Sequence, residues 1–103
     1  MFTNKRYMTK GIAEGLEPGL IELLWCKIDE LREQTNGEMD YLQVFDLKSM
    51  DAHSVIENQL ITHSSECPAY EMSFVALVDN PVDAKVFVVD SSEESTMMFA
   101  NEY

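Results

Sequence analysis

His63, Glu66 and Cys67 bring an imidazole, a carboxylate and a thiol close together in sequence, the donor types that ligate zinc. Such a site needs a deprotonated sulfur and a neutral imidazole set tetrahedrally around the ion. His53 and His63 are the two imidazoles of the chain and there is no Cys-x-x-Cys pair, so the donor set is too small for a metal centre. Cys67 with either histidine as its base would be a nucleophile only if oxyanion donors converged on it, and a turn at Pro68 gives no reason to expect them. The expectation is that His63 ends a strand as an exposed polar residue and that Cys67 fills space before Pro68. Among nineteen Asp and Glu no pair stands in an apolar setting, and Glu93 and Glu94 flank a turn where water keeps both ionised. Gly11, Gly15, Gly19 and Gly37 form no phosphate-cradling motif. Asp79, Asp83 and Asp90 miss a calcium loop because Pro81 and the apolar run 86–89 interrupt it. No catalytic residue, cofactor or metal ligand is assigned, and the balance falls toward a protein that is not an enzyme.

Charge narrows the partners. Seven Lys and Arg stand against nineteen Asp and Glu, a net charge of −12. Direct nucleic-acid binding and adsorption to an anionic membrane both need the opposite sign. Lys5, Arg6 and Lys10 precede every acid, and electrostatic tethering of the first strand to nearby acids is their expected use. The other acids give solubility and a field that attracts basic proteins. No apolar run is long enough to span a bilayer and no signal peptide is evident, which points to the cytoplasm. Cys26 is expected as a buried free thiol in a helix, and two cysteines do not make a disulfide scaffold.

The elements that position these groups follow from periodicity. Residues 2–12 read as a first strand with Phe2, Tyr7, Met8 and Ile12 toward the core and Gly11 and Gly15 breaking the run. Residues 18–35 read as the main helix: Pro18 suits its first turn, Ile21, Leu24, Ile28 and Leu31 form a stripe, and Asn36-Gly37 ends it. Glu22, Asp29, Glu30 and Glu33 occupy its other side. A period of two then marks strands over 40–48, 55–63 and 70–78, with 64–69 as a hairpin loop. In 55–63, Ile56 and Leu60 are expected opposite Glu57, Gln59 and Ile61. The run 85–90 has the composition of a strand buried on both faces, and 96–100 returns as a last strand. The prediction is an α+β fold: one main helix packed on a largely antiparallel sheet of five or six strands, in a single domain spanning 1–103.

The opening MFTNKRYMTKGI, the Leu24-Trp25 pair, ITHSSECPAY and the ending KVFVVDSSEESTMMFANEY together resemble a family of small uncharacterised proteins, a domain of unknown function, from Gram-positive bacteria and their phages. The resemblance spans nearly the whole chain and is most specific at the ending. It implies a bacterial or phage cytoplasmic origin and lends no catalytic residues. Met97, Met98 and Phe99 stand where the family has more aliphatic leucines, a core-compatible exchange.

The functional expectation is a small acidic protein-interaction module for a partner with a basic surface, contacted through Asp79, Asp83, Asp90, Glu93 and Glu94. Two alternatives stand beside it: a nucleic-acid-mimicking inhibitor of a basic host protein, and a small enzyme or ligand-binding domain. An exposed sheet edge leaves homodimerisation open.

Overall fold

The helix over Pro18–Gln34 forms where the stripe places it, and it buries Leu20, Ile21, Leu24, Ile28 and Leu31. Asn36 at φ 54° and Gly37 at φ 86° take the left-handed conformation that stops it. Glu17 precedes its first turn, and the Glu17 carboxylate accepts from the backbone N–H of Asp79 (3.2 Å) and Asn80 (3.1 Å). That bond ties a distant loop to the helix start.

The computed structural model describes residues 1–50, 53 and 55–103. In chain order the elements are β1 (Lys5–Met8), α1 (Lys10–Gly15), α2 (Pro18–Gln34), β2 (Leu42–Ser49), β3 (Gln59–Glu66), β4 (Ala69–Ala76), β5 (Ala84–Asp90) and β6 (Glu94–Phe99). A short 3₁₀ helix follows at Ala100–Glu102. The six strands form one sheet in the order β1-β6-β5-β2-β3-β4. Every pairing among the described residues is antiparallel except that of β1 with β6. Phe45, Leu47, Ile61, Val86, Val88 and Met97 point to the helical side and share the buried core with the α2 stripe, Phe2 and Ile12. The α+β class, the sheet and the main helix agree with the sequence.

Several local expectations are corrected. Only Lys5–Met8 of 2–12 is strand; Thr9 then caps α1, its hydroxyl accepting from the Ile12 N–H at 3.2 Å. Gly11 and Gly15 lie in that helix where neighbours crowd it: a Cβ on Gly11 would stand 2.8 Å from the Glu102 carboxylate, and one on Gly15 2.9 Å from the Phe99 ring, so either side chain would have to shift. Phe2 and Ile12 are buried as expected, but Tyr7 and Met8 are exposed, because β1 is the edge of the sheet. Cys26 is exposed too: two residues past the buried Leu24, it turns to the far side of the helix. Strand β3 begins at Gln59, leaves Ile56 exposed, and turns Gln59, Ile61 and His63 inward instead of Leu60. Gln59 accepts burial because its amide is filled, donating to the carbonyls of Lys48 and Val82 and accepting from the Val82 N–H. The expected loop 64–69 shrinks to Cys67-Pro68 between two strands.

Arg6 does tether β1, as its charge suggested. Its guanidinium forms a forked pair with Asp29 of α2, donates to the Phe2 carbonyl at 3.2 Å and lies 4.7 Å from the centre of the Trp25 ring.

Truncation of the central helical contact should be costly. Leu24→Ala, at a fully buried site, is expected to lower unfolding free energy by about 2–5 kcal/mol in urea titrations.

Candidate functional site

The chain has helix enough to cover one face of the sheet, and the other face stays open. Its central positions are nonetheless apolar. Register places Val44 beside Phe87 and Phe87 beside Met98, with Leu42, Val89, Thr96 and Tyr7 in the adjacent row. Val44, Phe87, Val89 and Met98 are each half-buried, while Tyr7 and Tyr41 are exposed. Tyr103 stands edge-on to Phe87 with ring centres 5.5 Å apart. Its phenol neighbours Tyr41, and that phenol, followed by burial and the carboxylates of Asp40 and Glu66, raises the Tyr41 pKa above its usual value. Beside this patch a shallow groove of ≈ 760 Å³ runs toward β4, lined by Tyr41, Leu42, Val44, Glu66, Glu71 and Lys85. The run 85–90 was expected to be buried on both faces, but only Val86 and Val88 are buried. Among the described residues no second layer covers Phe87 and Val89, so an unbroken apolar run here marks an open apolar face.

Charge on this face is nearly balanced. Alternation puts Asp46, Glu66, Glu71 and Glu94 on it with Lys5, Lys48 and Lys85, and register sets Asp46 beside Lys85 and Glu94 beside Lys5. Most of the acidic excess therefore lies on the helices and loops. On α2 and just after it, Glu22, Glu33 and Glu38 are exposed.

The five sequence-selected acids do not come together. Asp79 and Asp83 precede β5, whereas Asp90, Glu93 and Glu94 lie at and beyond its other end. The length of β5 separates the two groups by roughly 20 Å. Two are engaged locally: Asp83 accepts from the Ser49 N–H at 2.9 Å, and Asp90 accepts from the Ser95 hydroxyl at 2.7 Å. The Ser49 bonds hold the Asp83 carboxyl below its usual pKa. Asp79, Glu93 and Glu94 are exposed.

His63 is not the exposed strand end expected from sequence. It is 1% exposed, stacked on Phe45 at 4.3 Å and met edge-on by Tyr70 at 5.1 Å. The Gln43 amide nitrogen donates to the Asp40 carbonyl at 2.9 Å, which turns the amide oxygen toward His63 Nε2 at 2.7 Å. The histidine therefore donates from Nε2, and burial followed by the nearby Lys27 charge pushes its pKa down to about 4. Cys67 is exposed in the following turn, where its N–H donates to the Asp40 carboxylate at 2.9 Å. Imidazole and thiol thus serve different environments, and no metal-ligating cluster occurs among the described residues. Asp40 also accepts from the N–H groups of Leu42 and Glu66, and these bonds lower its pKa.

Residues 5–102 match the family described as staphylococcal protein of unknown function, DUF960. The chain belongs to this family. A crystal structure of a protein of unknown function from Enterococcus faecalis has the same fold, with a TM-score of 0.67 over 97% of this chain and 91% of that one, at 20% identity. Both relatives agree with the Gram-positive part of the sequence resemblance. No curated protein matches the chain. No helix among the described residues is long and apolar enough to cross a membrane.

The buried imidazole generates a pH prediction. The unfolded chain takes up the His63 proton near pH 6.5 and the folded protein only near 4, so the unfolded state binds more protons in between. Stability should be full above pH 6.5 and fall, by on the order of 3 kcal/mol, as pH drops to 4. His63→Gln should flatten this segment of a pH-dependent urea midpoint curve. Below it, lost stability traces to Asp29, Asp40 and Asp83, whose folded pKa values are depressed by the Arg6 hydrogen bond, the Leu42 N–H and the Ser49 N–H respectively.

Proposed function

We propose that this protein is a small acidic interaction module that performs no reaction and engages a protein partner through the helix-free face of its sheet. The observation that carries the reading is the apolar patch of Tyr41, Leu42, Val44, Phe87, Val89 and Met98 on a face without a covering layer. Magnitudes separate the roles of patch and charge. Burying one large apolar side chain is worth ~1.5–3 kcal/mol, whereas an exposed ion pair is worth about 0–1 kcal/mol. The patch therefore supplies affinity, and the net charge of −12 supplies approach by steering a partner with a basic surface.

Mimicry of nucleic acid draws less support, because a mimic needs its carboxylates aligned and the selected acids divide between the two ends of β5. An enzyme draws less still: His63 is enclosed by Phe45, Tyr70 and Gln43, away from the exposed Cys67. The resemblance to phage-borne relatives would make the partner a host factor, with this protein as an accessory that binds or inhibits it in the cytoplasm.

Affinity capture from a Gram-positive lysate tests the reading. Wild-type protein should recover a specific basic protein at low salt and far less at high salt, and association with the purified partner should slow with salt more than dissociation speeds. Leu42→Lys, with unchanged far-ultraviolet circular dichroism, should reduce recovery by about tenfold or more, the equivalent of one lost apolar anchor. Glu93→Lys combined with Glu94→Lys should slow association. Equal recovery by wild type and Leu42→Lys would remove the face from consideration.

A further inference from the structure

We infer that the free edge of β4 accepts a further strand, an extended segment of a partner protein that alternates apolar and basic residues. β4 ends the sheet on one side and β1 on the other. The two edges are built differently. β1 has four residues, carries Lys5 and Arg6, and is held to α2 through Asp29. Short length and cationic side chains are the devices that keep an edge from recruiting another strand. β4 has eight residues, no proline, no cation and one charge, Glu71. Its Met72 and Val75 are 55% and 43% exposed. Among the described residues no element pairs with its outer side, so that row of backbone donors and acceptors is left for another chain.

The space beside the edge is shaped for alternate side chains. Between α2 and β4 lie two clefts that meet at Tyr70. One, ≈ 220 Å³, is walled by Leu31, Met39 and Pro68. The other, ≈ 270 Å³, is walled by Lys27, Glu30, Met72 and Phe74. An added strand turns every second side chain toward the helix, about 7 Å apart, so successive inward residues can fill successive clefts.

Charge selects the occupant. Glu30 and Glu38 line the clefts and Glu71 lies on the opposite side of the strand. Lys27, the one Lys or Arg lining the clefts among the described residues, is paired to Glu30 at 3.2 Å and lies 4.6 Å from the centre of the Phe74 ring. A second copy of this chain would bring another net charge of −12 and another Glu71 to the same edge, which opposes self-pairing. A basic strand meets complementary charge on both of its sides. The clefts lie on the helical side of β4, and the edge shares Tyr70 and Glu71 with the groove beside the helix-free patch but none of Leu42, Val44, Phe87, Val89 and Met98, so a role for either can fail alone.

Three synthetic peptides on the full chain test it: one alternating valine and lysine, the same peptide with a methylated backbone, and one alternating valine and glutamate. The valine–lysine peptide should bind saturably and slow amide exchange in residues 69–76, followed by NMR, by about tenfold or more. The methylated and glutamate peptides should bind at least about tenfold more weakly, and so should the lysine peptide to Met72→Lys. Leu42→Lys, which disrupts the helix-free face, should leave peptide binding intact. Absent binding, equal binding of the methylated or glutamate peptide, or protection confined to 42–46 and 86–89 would overturn the inference. Concentration-dependent protection of 69–76 without peptide would overturn it too, since the occupant would then be a second copy.

Discussion

A sheet has two faces, and this chain carries one long helix to cover them. That constraint organises the molecule. The stripe from Leu20 to Leu31 buries one face completely enough that Phe45, Ile61, Val86, Val88 and Met97 are all shielded from water. Removing apolar surface from water is the main force that folds a domain this small, so the covered face sets stability. The uncovered face is released from that task. Its apolar residues contribute less to stability than they would if enclosed, which is why their presence calls for an explanation outside folding.

Within the covered layer, polar groups are buried where their partners are fixed. Gln43 joins His63 to the Asp40 carbonyl, while the Asp40 side chain gathers the N–H groups of Leu42, Glu66 and Cys67. The bonds run from the middle of the sheet to the β3–β4 turn and fix Asp40 between an interior imidazole and an exterior loop. Gln59 does the same at the other end of β3, linking Lys48 with Val82. Such satisfied networks specify register more than they add net stability, because a one-residue slip would strand each amide in the core.

The sequence made some of this legible and concealed the rest for identifiable reasons. The α2 stripe, its stop at Asn36-Gly37 and the alternation of β2 are local signals, and each survives in three dimensions. The parity of β3 was concealed because Gln59 and His63 look like surface residues until their distant partners are known. The glycines of α1 read as breakers because Glu102 and Phe99, which crowd them, lie far along the chain. The candidate face was written in the unbroken apolar run 86–89, but composition cannot tell a strand enclosed on both sides from one with an uncovered apolar side. The acids drew attention by number, while their dispersal depended on strand order.

The parallel pairing of β1 with β6 has a consequence for biosynthesis. Lys5 finds its neighbour in Glu94, and Asn4 donates to the Ser91 carbonyl across 87 residues of sequence. A nascent chain leaving the ribosome therefore holds its first strand without a mate until β6 has also been translated. During that interval β1 is kept from wandering into foreign sheets by its own cations and brevity, and its pairing waits for the later strand.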